Sequence, residues 1–157
     1  MSGITTCLWF DKNGEEAARF YVDIFPDSRI DTVTRSPRDY PSGAEGDVLT
    51  VDFTLMGRPF MVLNGGPYFK FSEAISMSVD CADQEEVDRY WSALSAVPES
   101  EQCGWVKDKY GLSWQIVPRI LPRLIADPDR AKAKRVMSAM MDMKKLDVAA
   151  LEEAARG

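Results

Sequence analysis

Histidine is absent from this 157-residue chain, and cysteine is scarce. Because histidine is the commonest protein metal ligand and ordinarily titrates near neutral pH, its absence excludes Ser-His-Asp triads and histidine-ligated metals. The three cysteines, Cys7, Cys81 and Cys103, are odd in number and form no C-x-x-C pair, which argues against a disulfide framework or a zinc ribbon. We therefore expect reduced and mostly buried thiols.

Long apolar runs are also missing. No stretch approaches the roughly 18 consecutive apolar residues of a membrane span, and the first residues lack the basic start and apolar run of a signal peptide. We therefore expect a cytoplasmic protein with no membrane partner. Nineteen basic against twenty-five acidic residues give a net charge of -6, which repels polyanions and argues against a nucleic-acid partner.

The clearest positive feature is an internal repeat. Each copy has a short apolar run, residues 4–10 and 75–79, followed by a helical stretch with apolar residues at i, i+3, i+4 and i+7, the spacing of a helix packed on a sheet. At an offset of 70 residues, Glu15-Glu16 matches Glu85-Glu86, Phe20-Tyr21 matches Tyr90-Trp91, and Ile24 matches Leu94. Asn13 and Asp83 are the predicted N-caps.

Extended segments follow each predicted helix. They span residues 28–35, 48–56 and 58–63 in the first half, and residues 99–103, 104–107 and 112–117 in the second. The order is βαβββ twice, which predicts an α+β fold. We expect one domain over residues 1–119, with modules at about 4–66 and 74–118. The loop at residues 36–47, rich in proline and glycine, either covers a site or is a passive surface loop.

The last segment, residues 120–157, predicts a C-terminal helical extension of the same domain. Helices are expected over residues 122–126, from a cap at Asp127 to about residue 143, and from a cap at Asp147 onward. The middle helix has an apolar face with soft side chains, formed by Val136, Met137, Met140, Met141 and Met143. That face is expected to pack on the chain's own sheet, with a subunit interface as the alternative.

Several segments together resemble the PhnB-like branch of the vicinal oxygen chelate (glyoxalase/bleomycin-resistance) superfamily, many members of which carry the label 3-demethylubiquinone-9 3-methyltransferase. They are WFDKNGEEAARFYVDIFPDSRI, LNGGPYFKFSEAISMSVDC, DQEEVDRYW, CGWVKDKYGLSWQIVP and MKKLDVAALEEA. The resemblance implies paired half-barrel modules that enclose a small-molecule cleft, usually in a homodimer. The methyltransferase label has no counterpart in the residues, because no strand leads into a glycine-rich G-x-G turn for a methyl-donor nucleotide.

The same resemblance locates four positions that hold a metal in other members of the superfamily. One residue each comes from the first and last strands of the two modules. The residues matched here are Ile4 or Thr6, Val62 or Asn64, Ala74, and Gln115. None offers imidazole, carboxylate or thiolate, and a divalent ion needs several such donors, so we predict no metal and no other cofactor.

A neutral pocket is the alternative that these positions leave. By strand alternation, Thr6, Asn64, Ser76 and Gln115 are expected to share an inner face that hydrogen-bonds a ligand carbonyl or hydroxyl, although they would equally be ordinary polar residues at a barrel mouth. Trp105 is the fifth candidate ligand contact, with packing as its alternative. Trp9 and Trp114 have the opposite parity and are expected to pack beneath the helices.

Other groups in the last hairpin and near the module boundary have competing interpretations. Asp108, Lys107 and Tyr110 are candidate acid or base groups, although Asp108 is better explained as the cap of a turn. Asn64-Gly65-Gly66-Pro67 is best explained as a linker between modules. Cys103 lacks a histidine partner and is a poor candidate nucleophile.

We therefore hypothesise a small-molecule protein with a metal-free cleft, in which acid-base catalysis and simple sequestration of a ligand remain alternatives. A metal-dependent isomerase or dioxygenase and a true methyltransferase are disfavoured. The sequence leaves open the ligand, and it does not decide whether the protein is an enzyme.

Overall fold

A computed structural model describes residues 2–157. Contacts divide it into two compact units, with the boundary between Phe71 and Ser72. The fold class is α+β, as predicted, with a sheet and a helix of 11 residues in each unit. None of the helices in residues 2–157 combines the length and hydropathy needed to span a membrane.

The first unit contains a four-stranded sheet in the order β1-β4-β3-β2, in which β1 and β4 are parallel. Helix α1 packs on this sheet because its apolar stripe, including Ala17 and Tyr21, is fully buried. A two-residue turn at Met56 and Gly57 joins β3 to β4. The elements are β1 (Thr6–Phe10), α1 (Gly14–Ile24), β2 (Arg29–Arg35), β3 (Val48–Leu55) and β4 (Arg58–Asn64).

The second unit repeats the strand-helix start but has only three strands among its described residues, in the order β5-β7-β6. Helix α2 begins at the predicted cap, Asp83, whose side chain accepts a hydrogen bond from the Glu86 amide. Its buried stripe is Val87, Tyr90 and Leu94. The sheet and its helix are β5 (Ser76–Cys81), α2 (Gln84–Leu94), β6 (Trp105–Lys107) and β7 (Ser113–Pro118).

The strand predicted for residues 99–103 is wrong. A 3₁₀ turn at Pro98–Ser100 is followed by a tight turn in which Gln102 and Trp105 pair. Cys103 and Gly104 both have positive φ, 51° and 86°, which extended strands do not allow. The repeat is therefore incomplete at this point.

The C-terminal part of the second unit forms three helices, α3 (Ile120–Ile125), α4 (Arg130–Met141) and α5 (Val148–Arg156). Asp147 caps α5 as predicted, but α4 is capped by Asp129 rather than Asp127. The predicted apolar face of α4 is divided. Val136 is buried with Leu121, Leu146 and Leu151, and Met140 and Met143 pack against that cluster, whereas Met137 and Met141 are exposed. Helix α4 thus packs chiefly against α3 and α5.

Candidate functional site

The first sheet has one face covered by α1 and one that α1 does not cover. Side chains alternate along paired strands, so Leu8, Phe10, Val62 and Asn64 share a face. An added Cβ at Gly14 of α1 would lie 3.0 Å from the Val62 side chain, which identifies this face as the one under the helix. Thr6 has the same parity. Two of the five candidate ligand contacts, Thr6 and Asn64, therefore lie on the helix-covered side.

Asn64 is a structural clamp at the end of β4. Its side chain is buried, Oδ1 accepts a hydrogen bond from the Gly14 amide at 2.9 Å, and Nδ2 donates to the Val48 carbonyl at 2.9 Å. Gly14 is required here because an added Cβ would approach Asn64 Oδ1 to 2.6 Å. Both ends of the amide are thus used to join α1, β3 and β4, which sequence reasoning did not anticipate.

Trp9 lies on the face of the first sheet opposite α1, so the prediction that it packs beneath the helix is wrong. Its indole Nε1 donates to the Gly66 carbonyl at 2.8 Å, and its ring meets Phe69 edge-on at 4.9 Å. A Cβ added at Gly65 would lie 2.4 Å from the ring. Gly65 therefore makes room for the Trp9 ring, while an added Cβ at Gly66 would instead meet the Ser42 side chain.

Three candidate ligand contacts come together on the second sheet. Trp105 pairs with Gln115 across β6 and β7, and Gln115 Nε2 donates to Ser76 Oγ at 2.9 Å. All three side chains are half-buried. We call this surface the polar face, and by register it consists of Ser76, Ser78, Asp80, Trp105, Lys107, Ser113, Gln115 and Val117.

The opposite face of the same sheet is apolar and buried. It carries Trp114 together with Val79, Val106 and Ile116. Trp114 Nε1 donates to Asp108 Oδ2 at 2.8 Å. Trp114 is thus on the buried side, as its parity predicts.

Asp108 closes the hairpin between β6 and β7. Oδ1 accepts hydrogen bonds from the Tyr110 amide at 2.8 Å and the Leu112 amide at 3.1 Å, while Oδ2 holds Trp114. The side chain is only 1% exposed. The prediction that Asp108 caps a turn is confirmed, and these bonds occupy its carboxylate.

A charged pair borders the polar face. Lys107 Nζ forms an ion pair with Glu73, a residue that the sequence analysis did not single out. The hydrogen bond from Lys107 holds the pKa of Glu73 below its ordinary value. Because 34 residues separate the two, no local spacing signals the contact.

A cavity lies in the first unit beside the loop at residues 36–47. Its volume is about 650 Å³, and it is lined by Asp11, Lys12, Pro41, Ser42, Gly43, Ala44, Asp47, Pro67 and Tyr68. The loop is tied down because Ser42 Oγ donates to the Gly65 carbonyl at 2.7 Å and Tyr40 pairs with Gly43. The loop thus walls a cavity, although its charges of both signs identify no ligand class.

The three thiols differ in environment. Cys81 is fully buried, Cys103 is half-buried and Cys7 is exposed, so the expectation of mostly buried thiols is wrong for Cys7. Burial, with smaller contributions from the carboxylates of Glu86 and Asp80, raises the pKa of Cys81 to about 12. Partial burial also raises the pKa of Cys7.

The donor set does not fit a metal. Asn64 is occupied by backbone groups, Ala74 has no donor atom, and Gln115 supplies a neutral amide. Within residues 2–157, no three Cys, Asp or Glu side chains converge closely enough to hold an ion. Divalent ions require several anionic or imidazole donors.

Comparison with known proteins gives a consistent family. The family model described as 3-demethylubiquinone-9 3-methyltransferase matches residues 2–117. A PhnB protein from Bacillus cereus is 36% identical, with a TM-score of 0.63, over 74% of this chain and 99% of its own. Protein PA1353 from Pseudomonas aeruginosa is 18% identical, with a TM-score of 0.52, over 75% of this chain and 98% of its own. No curated protein matches the chain at a significant level.

Proposed function

The chain belongs to the 3-demethylubiquinone-9 3-methyltransferase (PhnB-like) family, and from that premise we propose that it binds a small, neutral, planar organic molecule on the polar face of its second sheet. The observation that carries the proposal is the cluster of Ser76, Gln115 and Trp105. We further propose that no metal takes part, and that the protein is a cytoplasmic homodimer.

The hydrogen-bonding capacity of the cluster defines the ligand class. Ser76 Oγ accepts the bond from Gln115, so its hydroxyl proton is available to a ligand carbonyl. Gln115 keeps a second N–H and its carbonyl oxygen for a ligand hydroxyl or amide. The Trp105 indole beside them offers an apolar surface for a planar ring. A neutral ligand is favoured because the cluster itself carries no charge.

Simple binding is favoured over catalysis by the state of the nearby ionisable groups. Asp108 is engaged by backbone and indole donors. Glu73 is paired with Lys107, and its lowered pKa makes it a weak general base. The Lys107–Glu73 pair is the one feature that supports acid-base chemistry at this face, and we retain such chemistry as the second candidate.

Methyl transfer, which the family's description implies, does not fit the residues. A nucleotide-type donor is usually held where a strand leads into a helix through a glycine-rich turn with free amides. At the β1–α1 junction the Gly14 amide is bonded to Asn64. At the β5–α2 junction, the Ala82 amide is bonded to Glu86, and the Glu86 amide to Asp83. Carboxylates thus occupy the amides of the second junction, where a methyl-donor nucleotide would need them free.

The test uses coumarin, a neutral planar lactone, as the probe. Titration of ¹⁵N-labelled protein should move the indole N–H resonance of Trp105 and the side-chain amide of Gln115, while the buried Trp114 indole stays in place. Gln115→Leu should weaken binding about tenfold, because the bound ligand loses its hydrogen bond to the Gln115 side chain. Gln102→Leu, at an exposed glutamine on the adjacent turn, is the matched control.

Native mass spectrometry and elemental analysis of the purified protein complete the experiment. A retained organic molecule without metal, in a dimer, supports the proposal. One metal ion per chain, or coumarin shifts confined to other regions while Trp105 does not respond, would refute it. Turnover of a retained compound that Lys107→Met abolishes would replace simple binding by acid-base catalysis.

A further inference from the structure

Helices α3 to α5 lie beyond the residues that the family model matches. The family model ends at residue 117, before α3 begins at Ile120. The PhnB protein from Bacillus cereus is matched over 99% of its length, yet the match covers only 74% of this chain. A function confined to these helices would therefore be separate from that of the region matched by the family model.

Helices α3 to α5 belong to the second unit, and hydrogen bonds hold the segment between α4 and α5 against the rest of that unit. Gln84 on α2 uses both ends of its amide, because Nε2 donates to the Leu146 carbonyl at 3.1 Å and Oε1 accepts from the Val148 amide at 2.8 Å. The Cys103 and Gly104 amides donate to the carbonyls of Met143 and Lys144, each at 2.8 Å. These bonds fix residues 143–148, which link α4 to α5, and α4 packs on that link through Val136 in the cluster with Leu146.

Helix α4 presents an apolar groove on its outer side. Residues spaced by four, three and four positions lie on one helical face, here Arg130, Lys134, Met137 and Met141. Met137 is 48% exposed and Met141 is 56% exposed. Exposed methionines are soft, adaptable side chains that are frequent at binding surfaces. The α4 groove has a volume of about 240 Å³ and is lined by Ile125, Arg130, Ala133, Lys134, Met137, Ser138 and Met141.

The cations of α4 lie at its N-terminal end, where the helix dipole is unfavourable to positive charge. Four cations occupy its first six residues, where the partial positive charge of a helix N-terminus disfavours them, and the helix contains no acidic residue. Three of them are engaged by neighbours: Lys132 by Asp127, Arg135 by the carbonyls of Ala154 and Ala155, and Arg130 by those of Ile125 and Asp127. Lys134 has no partner among the described residues and is exposed beside the methionines.

The charge distribution along the sequence favours an acidic occupant. Residues 120–157 contain eight lysines and arginines against six aspartates and glutamates, whereas residues 1–119 contain eleven against nineteen. The α4 groove is thus bordered by cations in a chain that is otherwise acidic. A partner with carboxylates beside its apolar residues would complement both features.

We propose that the α4 groove binds an acidic amphipathic helix of a partner protein, with its apolar side chains on Met137 and Met141 and a carboxylate on Lys134. The 12 residues of α4 extend about 18 Å, enough to align three turns of a partner helix. A second copy fits less well, because a two-fold contact would bring the same cations together without any groove carboxylate. An anionic membrane fits less well, because lipid surfaces are held by clusters of about four to eight cations, whereas the cations that line the groove are Arg130 and Lys134.

The test is a titration of protein labelled with ¹³C at the methionine methyl groups. The probe is a synthetic 16-residue helix with leucines at i, i+3, i+4 and i+7 positions and glutamates on both flanks. We expect the methyl resonances of Met137 and Met141 to move. Met56 is the internal control, because it is 47% exposed but lies in a turn of the first unit.

Matched variants separate charge from apolar contact. Lys134→Glu should weaken peptide binding about fivefold, because it replaces an attraction by a repulsion. Met137→Ser should weaken it about tenfold through lost apolar burial. Lys12→Glu makes the same charge change in the first unit and should leave the affinity unchanged.

Four results would overturn the proposal. They are the absence of any Met137 or Met141 shift up to about 1 mM peptide, equal binding of a peptide with lysines in place of glutamates, stronger shifts with phosphatidylglycerol vesicles than with the peptide, and concentration-dependent shifts of the free protein. The last two would assign the α4 groove to a membrane or to a second copy.

Discussion

The two units share a plan but differ in how they use the polar residue on their last strand. Each has a strand, a helix of 11 residues with two glutamates in its first turn, and a final strand parallel to the first. In the first unit the side-chain amide of Asn64 is bonded at both ends, to the Gly14 amide of α1 and to the Val48 carbonyl of β3. In the second unit Gln115 lies on the polar face beside Ser76 and Trp105. The two units therefore share their arrangement of strands and helix, whereas the proposed binding surface is present in the second unit alone.

The hairpins that close the two units differ in the same way. In the first unit, Met56 and Gly57 both have positive φ, 47° and 79°, as a two-residue hairpin turn requires, and the Met56 amide donates one hydrogen bond to Ser28 Oγ at 3.1 Å. In the second unit the hairpin is closed by the Asp108 side chain. The second hairpin thus depends more heavily on one polar side chain, which accepts three hydrogen bonds.

The largest contrast is expected in the reactivity of the thiols on the first strand of each unit. At pH 8, iodoacetamide should modify Cys7 about a thousandfold faster than Cys81, because Cys81 is inaccessible and its raised pKa leaves little thiolate. Mass spectrometry of timed digests measures both rates. In 6 M guanidinium the two should converge, and a persistent difference there would show that local sequence, rather than folding, causes it.

The next contrast concerns the hairpins. Asp108→Ala should lower the free energy of unfolding by about 3 kcal/mol, because three buried donors lose their acceptor. Gly57→Ala should cost only about 1 kcal/mol, because the added methyl meets open space and pays for positive φ alone. Urea unfolding measures both. Equal costs would show that Asp108 does not hold its turn as described.

Sequence patterns predicted the parts of the fold that depend on local spacing. The apolar stripes of α1 and α2 and the caps at Asp83 and Asp147 were all correct, because each involves residues within four positions. The wrong predictions arise where a turn competes with a strand, or where the contact joins residues far apart in the sequence. Residues 99–103 have strand formers nearby, yet the positive φ of Cys103 and Gly104 turns the chain.

The candidate site was predictable only in part, for the same reason. Alternation correctly grouped Ser76 with Gln115, since both lie on paired strands. It also grouped Asn64 with them, because parity cannot tell which face a helix covers. Similarly, Asp127 and Asp129 flank Pro128, and the sequence makes them equal candidates for the α4 cap. The structure identifies Asp129, which accepts hydrogen bonds from the Ala131 and Lys132 amides.

A matched pair of amide deletions tests the difference between the last strands. Asn64→Ala should destabilise the protein by about 2 kcal/mol, because the Gly14 amide and the Val48 carbonyl lose their partner. Gln115→Ala should cost less than about 0.5 kcal/mol, since its side chain is half-exposed and makes one side-chain bond. Urea midpoints at constant slope give both values. Equal losses would make Gln115 a structural residue and weaken the proposed binding role.

The smallest effect is expected for the attachment of the C-terminal helices to α2. Asp88 accepts hydrogen bonds from Lys145 and Gln84, which hold its pKa below the ordinary value. Because the pKa of Asp88 is lower in the folded protein than in the unfolded chain, where it is about 3.9, its ionised form stabilises the folded state at any pH above that unfolded pKa. This stabilisation is lost as the pH falls through the folded pKa. Asp88→Asn should therefore lower the urea midpoint slightly at pH 7, and the gap to wild type should narrow between pH 7 and about pH 3.

Asp23→Asn makes the same charge change on an exposed residue of α1 and separates the effect of net charge from loss of the pair. A gap for Asp88→Asn that is unchanged between the two pH values would show that the Lys145 contact contributes nothing through ionisation. The C-terminal helices would then be attached by the neutral bonds of Gln84 and the apolar cluster around Leu146 alone. In that case the orientation of α4, and with it the α4 groove, would be insensitive to acid.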